Sequence, residues 1–208
     1  MNTLLRKLSS LKFRVLYKKA QIRDYIRGVD FTLPMTREAA GIDNIANTEY
    51  YGSTEFAPEL TSALNYLKIG SNDSILDYGS GKGAALLKFR KYPFKKICGV
   101  ELSTTLANIS SDNFRKLGLT DIEVVNTDAT QFVQLDEYNY FYFANPFSGD
   151  ILDRVLANII RSIDNKARQV YLIYYHPKCH HQVMKTGKFL VVKEFVRGAR
   201  KIIIYSNT

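Results

Sequence analysis

A group of glycines behind one acidic residue is the part of the sequence best suited to binding a ligand. The apolar run 75–78 contains Asp77 and leads directly into Gly79, Gly81 and Gly83, and a helical pattern begins at Ala84. Closely spaced glycines let a backbone turn tightly and approach a ligand, and free N–H groups at a helix start can face it. The motif predicts a nucleotide-like ligand.

Two ligands fit this turn. The glycines with Ala84 satisfy the dinucleotide fingerprint in its alanine-terminated form, and Glu101 follows Gly81 by twenty residues. In the second interpretation Asp77 and the three glycines form D-x-G-x-G-x-G. Here the acid and the third glycine suit S-adenosylmethionine, whose ammonium group needs a carboxylate nearby.

Polar groups after the other predicted strands favour S-adenosylmethionine. Glu101, followed by Leu102, closes the second strand, where a carboxylate can accept both ribose hydroxyls. Asp128 and Ala129 follow the third strand, where they can meet the adenine, and Asn145 ends the fourth. Carboxyl ends of parallel strands share one edge of a sheet, so four ordered matches indicate a binding crevice along that edge.

The elements that would position these residues alternate between strands and helices. Apolar strand patterns occupy 74–78, 96–100, 122–125, 138–144 and 169–175, separated by helical patterns at 84–92, 104–117 and 150–163. Another helix is predicted at 58–67. Such alternation predicts a parallel α/β sheet with helices on both faces. The last two strand patterns, 189–195 and 200–205, predict an antiparallel hairpin across Gly198.

On these motifs, about residues 48–208 resemble the class I S-adenosylmethionine-dependent methyltransferases. The resemblance implies an enzyme with a three-layer, Rossmann-like α/β fold, whose seven-stranded sheet is mostly parallel with an antiparallel C-terminal strand. It implies that Asp77 and the glycines surround the methionine part, Glu101 the ribose, and Asp128 with Ala129 the adenine. Residues 1–47 would form a basic helical extension before this catalytic domain.

A tyrosine-rich loop resembles one particular type of enzyme within this superfamily. Residues 49–56, EYYGSTEF, are similar to the loop that closes over the cofactor in the disruptor-of-telomeric-silencing type of lysine methyltransferases and their small bacterial relatives. That similarity implies cofactor contacts from Tyr50 and Thr54 and a wall of the acceptor slot from Tyr51. It also implies a protein lysine amine as the methyl acceptor.

The second local similarity is Asn145-Pro146-Phe147. In an amine methyltransferase the Asn145 oxygen and the Pro146 carbonyl would accept the amine hydrogens, while Phe147 would wall the slot. Asn145 would also touch the cofactor. Amino-group methylases commonly carry a second proline where this chain has Phe147. A hydroxyl acceptor would instead need a general base, and His176 after the fifth strand is the candidate.

Other functions stay open at this point. One is an O- or N-methyltransferase acting on a small molecule, glycan or nucleic acid. Another is a non-catalytic module that binds S-adenosylmethionine. A dehydrogenase using NAD is disfavoured by Gly83 and by the absence of a second nucleotide-binding half in a short chain.

Positive charge is concentrated at the N-terminus. The chain has 29 Lys+Arg and 20 Asp+Glu, a net charge of +9. Residues 1–28 carry eight basic side chains and one acidic one, so the remaining sequence is close to neutral. Leu4, Leu8, Leu11, Val15, Ile22 and Ile26 recur at helical spacing. The pattern predicts an amphipathic helix, either packed on the core or contacting an acidic protein, a nucleic acid or an anionic membrane surface.

Several other groups point to ordinary roles. Two cysteines, Cys98 and Cys179, cannot form a disulfide framework, which favours a cytoplasmic location. The group Cys179, His180 and His181 is more typical of a surface than of a metal site, and no metal is expected. The phosphate-loop motif G-x-x-x-x-G-K-[ST] is absent, so Lys82 is expected to be a solvated turn residue. No apolar run is long enough to cross a bilayer.

Overall fold

The computed structural model describes the backbone of residues 3–42 and 57–207, with side chains from residue 14 onward. The predicted loop residues Tyr50, Tyr51 and Thr54 lie outside these ranges, as does the predicted domain boundary at residues 47 and 48. Within the described ranges, no helix combines the length and apolarity needed to span a membrane.

The described chain contains six helices and seven strands. The helices are α1 (Thr3–Arg27), α2 (Pro58–Tyr66), α3 (Ala84–Phe89), α4 (Thr104–Lys116), α5 (Gly149–Asn165) and α6 (His180–Lys185). The strands are β1 (Ser74–Tyr78), β2 (Lys96–Glu101), β3 (Ile122–Asn126), β4 (Tyr140–Phe143), β5 (Tyr171–Tyr175), β6 (Phe189–Arg197) and β7 (Arg200–Asn207). The sequence patterns predicted all of these except the short helix α6.

The seven strands form one sheet in the order β3-β2-β1-β4-β5-β7-β6. β1 pairs in parallel with both β2 and β4, whereas β7 runs antiparallel to β5 and β6. The chain builds outward from β1 to β3 and then returns to place β4 on the other side of β1. In open α/β sheets, such a reversal creates a crevice at the carboxyl ends of the strands.

Two apolar clusters cover the faces of the sheet. On β4, Phe141 and Phe143 join the cluster that includes α5, while Tyr140 and Tyr142 join the cluster that includes α2 and α3. Successive side chains of a strand point to opposite faces, so an unbroken apolar run is what a strand covered on both sides requires. The predicted three-layer fold, mostly parallel with an antiparallel C-terminal hairpin, is confirmed.

The last glycine of the turn lets two helices meet. Gly83 has a backbone φ of +86°, and a Cβ there would lie 2.5 Å from Ser110 Oγ and 2.6 Å from Phe114 Cζ. Only a residue without a side chain allows α4 to lie this close to the start of α3. The structure therefore gives Gly83 a packing role, and its predicted contact with a cofactor stays a prediction.

Buried polar contacts hold α1 and the segment after it on the body. Asp24 is 2% exposed and accepts hydrogen bonds from Phe31 N at 3.1 Å and Thr32 Oγ1 at 2.8 Å. The Tyr17 hydroxyl donates to the Thr32 carbonyl at 2.5 Å. The Ser103 hydroxyl, at the start of α4, donates to the Ala40 carbonyl. The chain after α1 is thus fixed across α4 beside the glycine turn.

Candidate functional site

The glycine turn and the Asn145-Pro146-Phe147 segment meet at the reversal between β1 and β4. Gly79 follows β1 with a φ of +73°, and a Cβ on it would lie 2.5 Å from Pro146 Cβ. Gly81 also has a positive φ, +55°, but has open space where a Cβ would be. Two motifs about 65 residues apart in sequence therefore form one site.

Asp77 is the most deeply buried acid of this site. Its side chain is 2% exposed, and Oδ1 has no hydrogen-bond partner among the described residues. Burial raises the pKa of Asp77 well above its ordinary value, and the nearby Glu101 carboxylate raises this pKa further. A buried carboxylate without a partner is costly unless a cation or donor joins it. This arrangement suits a ligand ammonium group.

Glu101 connects the end of β2 to the glycine turn. Its Oε2 accepts a hydrogen bond from Gly81 N at 2.8 Å, and its Oε1 accepts one from Ser103 N at 2.9 Å. Burial raises the pKa of Glu101, while hydrogen bonds from the backbone of Ser103, Gly81 and Leu102 oppose that rise. A carboxylate has about four lone-pair positions. With three backbone donors, one position remains for a ligand hydroxyl.

The predicted adenine-binding residues lie beside Glu101. β2 and β3 pair so that Glu101 is opposite Asn126, whose amide donates to the Glu101 carbonyl at 2.9 Å and the Leu102 carbonyl at 3.1 Å. Asp128 is exposed, with Oδ1 accepting from Thr130 N at 2.7 Å, and Ala129 beside it is nearly buried. The structure thus brings Leu102, Asp128 and Ala129 to the same sheet edge as Glu101.

Asn145 has a strained backbone and an amide that is only half satisfied. Its φ is +55°, uncommon for a residue with a side chain and frequent at functional positions. Its Oδ1 accepts a hydrogen bond from the Tyr174 hydroxyl at 3.1 Å. Its Nδ2 is buried and has no partner among the described residues. The amide is therefore fixed by β5 and keeps one group for a ligand.

Phe147 lies in the core under this segment. It is buried, and its ring lies 6.2 Å from the rings of both Tyr78 and Phe143 in edge-to-face contacts. These contacts anchor the chain after Pro146, so they hold Asn145 in place. The predicted role of Phe147 as a wall of the acceptor slot stays a prediction.

Lys82 is buried in the turn rather than solvated. It is 8% exposed, and its Nζ lies 2.5 Å from Asp30 Oδ2 and 2.8 Å from the Leu33 carbonyl. The Asn113 amide joins the same cluster, donating to the Asp30 and Lys82 carbonyls. The expectation of a solvated turn residue was wrong, because the chain after α1 covers Lys82 and supplies its counter-charge.

Glu59 and His176 are two titratable residues near the carboxyl end of β5. Both carboxylate oxygens of Glu59 are buried without a hydrogen-bond partner among the described residues. His176 follows β5 with a φ of +50°. Burial lowers the pKa of His176 below 6.5, the Arg200 cation lowers it further, and the Glu59 carboxylate opposes both. His176 is therefore neutral at physiological pH.

His176 was predicted from its place after the fifth strand pattern, whereas Glu59 was not predicted. An acid in the first turn of a helix is ordinarily a favourable partner of the helix dipole, so the sequence offered no sign of its burial. A cavity of about 330 Å³ opens next to His176, between the end of β5 and the β6–β7 turn.

The histidines of α6 form no metal site with other described residues. His180 Nδ1 lies 2.8 Å from the Tyr205 hydroxyl. Across the described part of the chain, no group of three or more histidine, cysteine, aspartate or glutamate side chains lies close enough to hold a metal ion.

The site fits S-adenosylmethionine by the chemistry of its groups. Asp77 offers one unpartnered carboxylate oxygen, Oδ1, for the ammonium, and Glu101 keeps an acceptor position for a ribose hydroxyl. The turn at Gly79 and Gly81 presents backbone without side chains. Asn145 lies across the reversal from Asp77, at the end of the neighbouring strand β4, and its contact with the methyl acceptor stays a prediction.

A family comparison agrees with this assignment. The model of the protein-L-isoaspartate(D-aspartate) O-methyltransferase family (PCMT) matches residues 4–145, about two thirds of the chain. The match begins within α1 and ends at Asn145, so it includes every element of the site from the glycine turn to the end of β4. No curated protein sequence matches the chain at a significant level.

Solved structures share the fold. A mutant of MtNAS in complex with S-adenosylmethionine superposes with a TM-score of 0.59 at 16% identity, over 74% of this chain and 62% of that one. The ribosomal protein L11 methylase from Lactobacillus delbrueckii subsp. bulgaricus gives 0.60 at 14%, over 76% and 80%. A SAM-dependent methyltransferase from Aquifex aeolicus gives 0.54 at 13%, over 70% and 87%.

Replacing Asp77 with asparagine should stabilise the ligand-free protein while weakening cofactor binding. Burial raises the pKa of Asp77 in the folded state, so ionisation costs folding free energy, and this cost builds up as the pH rises from the ordinary carboxyl pKa to the folded pKa. At mildly alkaline pH, Asp77→Asn should raise the free energy of unfolding by about 1–3 kcal/mol. Urea titrations over a pH series would measure this gain.

The expected gain shrinks as the pH falls, because both side chains are then neutral. Asp112→Asn is the matched control, since Asp112 is exposed and pairs with Arg115 on the surface. A gain that is independent of pH, or a variant that S-adenosylmethionine stabilises as strongly as the native protein, would contradict the role given to Asp77.

Proposed function

The chain belongs to the protein-L-isoaspartate(D-aspartate) O-methyltransferase family. We propose that, within this family, it transfers a methyl group to a lysine amine of a protein. Its reaction class follows from the family and fold: it is a methyltransferase that uses S-adenosylmethionine. The acceptor is the part that we propose.

The observation that carries the proposal is the buried Glu59 carboxylate. Both of its oxygens lack a hydrogen-bond partner among the described residues. Its charge acts on His176 at the end of β5, one strand from Asn145. A buried negative charge attracts a cationic acceptor and repels an anionic one. It therefore supports an ammonium-bearing side chain.

Cofactor binding is assigned to the strand ends. When bound, S-adenosylmethionine supplies a methyl group made electrophilic by a sulfonium. Asp77 would hold its ammonium group, Glu101 its ribose hydroxyls, and Asp128 with Ala129 its adenine. The unpartnered Asp77 Oδ1 and the remaining acceptor position of Glu101 support these assignments.

The acceptor side is assigned to Asn145, Glu59 and His176. The Tyr174 hydroxyl holds the Asn145 amide, and Oδ1 keeps a second lone pair that can accept a hydrogen from the amine. Glu59 would attract the ammonium form. An imidazole nitrogen of neutral His176 could take the proton, so that the nitrogen lone pair points along the line of displacement.

A carboxyl acceptor is the second candidate. The family description names methylation of an isoaspartate or D-aspartate oxygen. The buried Asn145 Nδ2 favours it, since an amide N–H without a partner among the described residues can donate to a carboxyl oxygen. Glu59 argues against it, because two carboxylates would repel each other.

Transfer of a labelled methyl group to cell extract distinguishes these acceptors. Protease-sensitive label that survives mild alkali as methyl-lysine supports the proposal. Label released by alkali as methanol identifies a carboxyl ester, and label sensitive to nuclease or glycosidase identifies a non-protein acceptor; either result would overturn the lysine assignment.

Asn145→Ala should lower incorporation about 100-fold or more by loss of positioning, with S-adenosylmethionine affinity nearly unchanged.

Substitution of Glu59 gives a prediction whose sign depends on the acceptor. With a lysine substrate, Glu59→Gln should raise KM about tenfold, as expected when roughly 1.4 kcal/mol of attraction is lost. Steady-state kinetics on the labelled acceptor measure it. Glu38→Gln, at an exposed position, should leave KM unchanged. A fall in KM would instead indicate an anionic acceptor and remove the proposal.

A further inference from the structure

Helix α1 packs on the body through the face that carries Asp24 and Ala20, and its apolar face is exposed. Asp24 and Ala20 are 2% and 4% exposed, whereas Val15, Ile22 and Ile26 are 47%, 58% and 76% exposed. At about 3.6 residues per turn, the three apolar residues share one face, opposite Asp24. We call Val15, Ile22 and Ile26 the outer stripe.

Hydrogen bonds explain this orientation. Asp24 receives bonds from Phe31 N and Thr32 Oγ1, and Tyr17 bonds to the Thr32 carbonyl. Turning the outer stripe inward would carry Asp24 away from Phe31 N and Thr32 Oγ1, and these two buried donors would lose their acceptor. The outer stripe is therefore a stable surface feature.

Cations flank the outer stripe. Lys18 and Lys19 are exposed on its two sides, and Arg14 and Arg27 are exposed on the same helix. Residues 1–28 together carry eight basic side chains and one acidic one. In sequence, Leu4, Leu8 and Leu11 continue the spacing of the stripe, and their side chains lie outside the described residues.

We propose that α1 docks on an anionic lipid surface, with the outer stripe in the interface and the flanking lysines on the headgroups. An apolar stripe bordered by basic side chains is the pattern of helices that lie in the plane of a membrane surface. Anionic headgroups supply the counter-charge, and the acyl boundary accepts the isoleucines.

The charge favours lipid over the other occupants. A second copy pairing through the same stripe would bring two strongly basic helices together, and their like charges would repel. A nucleic acid would neutralise the lysines but would leave Ile22 and Ile26 in water, since phosphate contacts need no apolar stripe. Docking here would bring the protein to membrane-associated acceptors, independently of which atom is methylated.

Vesicle sedimentation of the full chain tests the proposal. Phosphatidylcholine vesicles that contain phosphatidylglycerol should bind the protein, pure phosphatidylcholine vesicles should not, and added salt should weaken the binding. Ile22→Ser with Ile26→Ser should weaken it about tenfold or more. Val196→Ser, at a 64% exposed apolar position on β6, is the matched control. Lys18→Glu with Lys19→Glu should also weaken binding, through charge alone.

Thermal melting and S-adenosylmethionine binding check that the variants remain folded, since every altered side chain is exposed. Equal binding to neutral vesicles, or no effect of the isoleucine substitutions, would overturn the proposal. A dimer of the native protein that is lost in the isoleucine variant, as measured by analytical sedimentation, would also overturn it. Tighter binding to nucleic acid than to anionic vesicles would do the same.

Discussion

A carboxylate buried at the end of the central strand is the constraint on which this site depends. Asp77 lies on β1 between β2 and β4, and its burial and the nearby Glu101 both raise its pKa. A fold that only had to be stable would place an apolar or amide side chain there. The strand order puts this carboxyl group beside Asn145. The unfavourable burial therefore occurs at the place where we propose that a cationic ligand and a methyl acceptor meet.

The surroundings of Asp77 are held from two directions. From inside, Glu101 fixes the Gly81 amide, and the contact of Gly79 with Pro146 joins the turn to the end of β4. From outside, Lys82 and Asn113 bind the segment after α1. The family match begins at residue 4, so this N-terminal segment lies within the matched region. The body of the enzyme and its basic helix are thus coupled through the glycine turn.

Local patterns predicted the strands, the glycine turn and the polar strand ends, because short apolar runs and closely spaced glycines are formed by neighbouring residues. Partners distant in sequence could not be predicted in this way. Asp30 is 52 residues from the Lys82 that it pairs with, and Glu59 looks like an ordinary first-turn acid. The apolar spacing of α1 fits a helix packed on the core as well as one exposed at the surface, and the hydrogen bonds to Asp24 decide its orientation. The methyl acceptor could not be predicted from local patterns either, because it depends on which charged residues, distant in sequence, come together at the ends of β4 and β5.

Calorimetric titration of the native protein and the Glu101→Gln variant with S-adenosylmethionine tests the central claim, that carboxylates at the strand ends bind the cofactor. The account predicts one site per chain in the native protein and a loss of about 1–3 kcal/mol of binding free energy in the variant, the scale of hydrogen bonds to a charged group. Glu123→Gln, on the neighbouring strand with an exposed side chain, should bind as the native protein does. Unchanged affinity in Glu101→Gln would contradict the account.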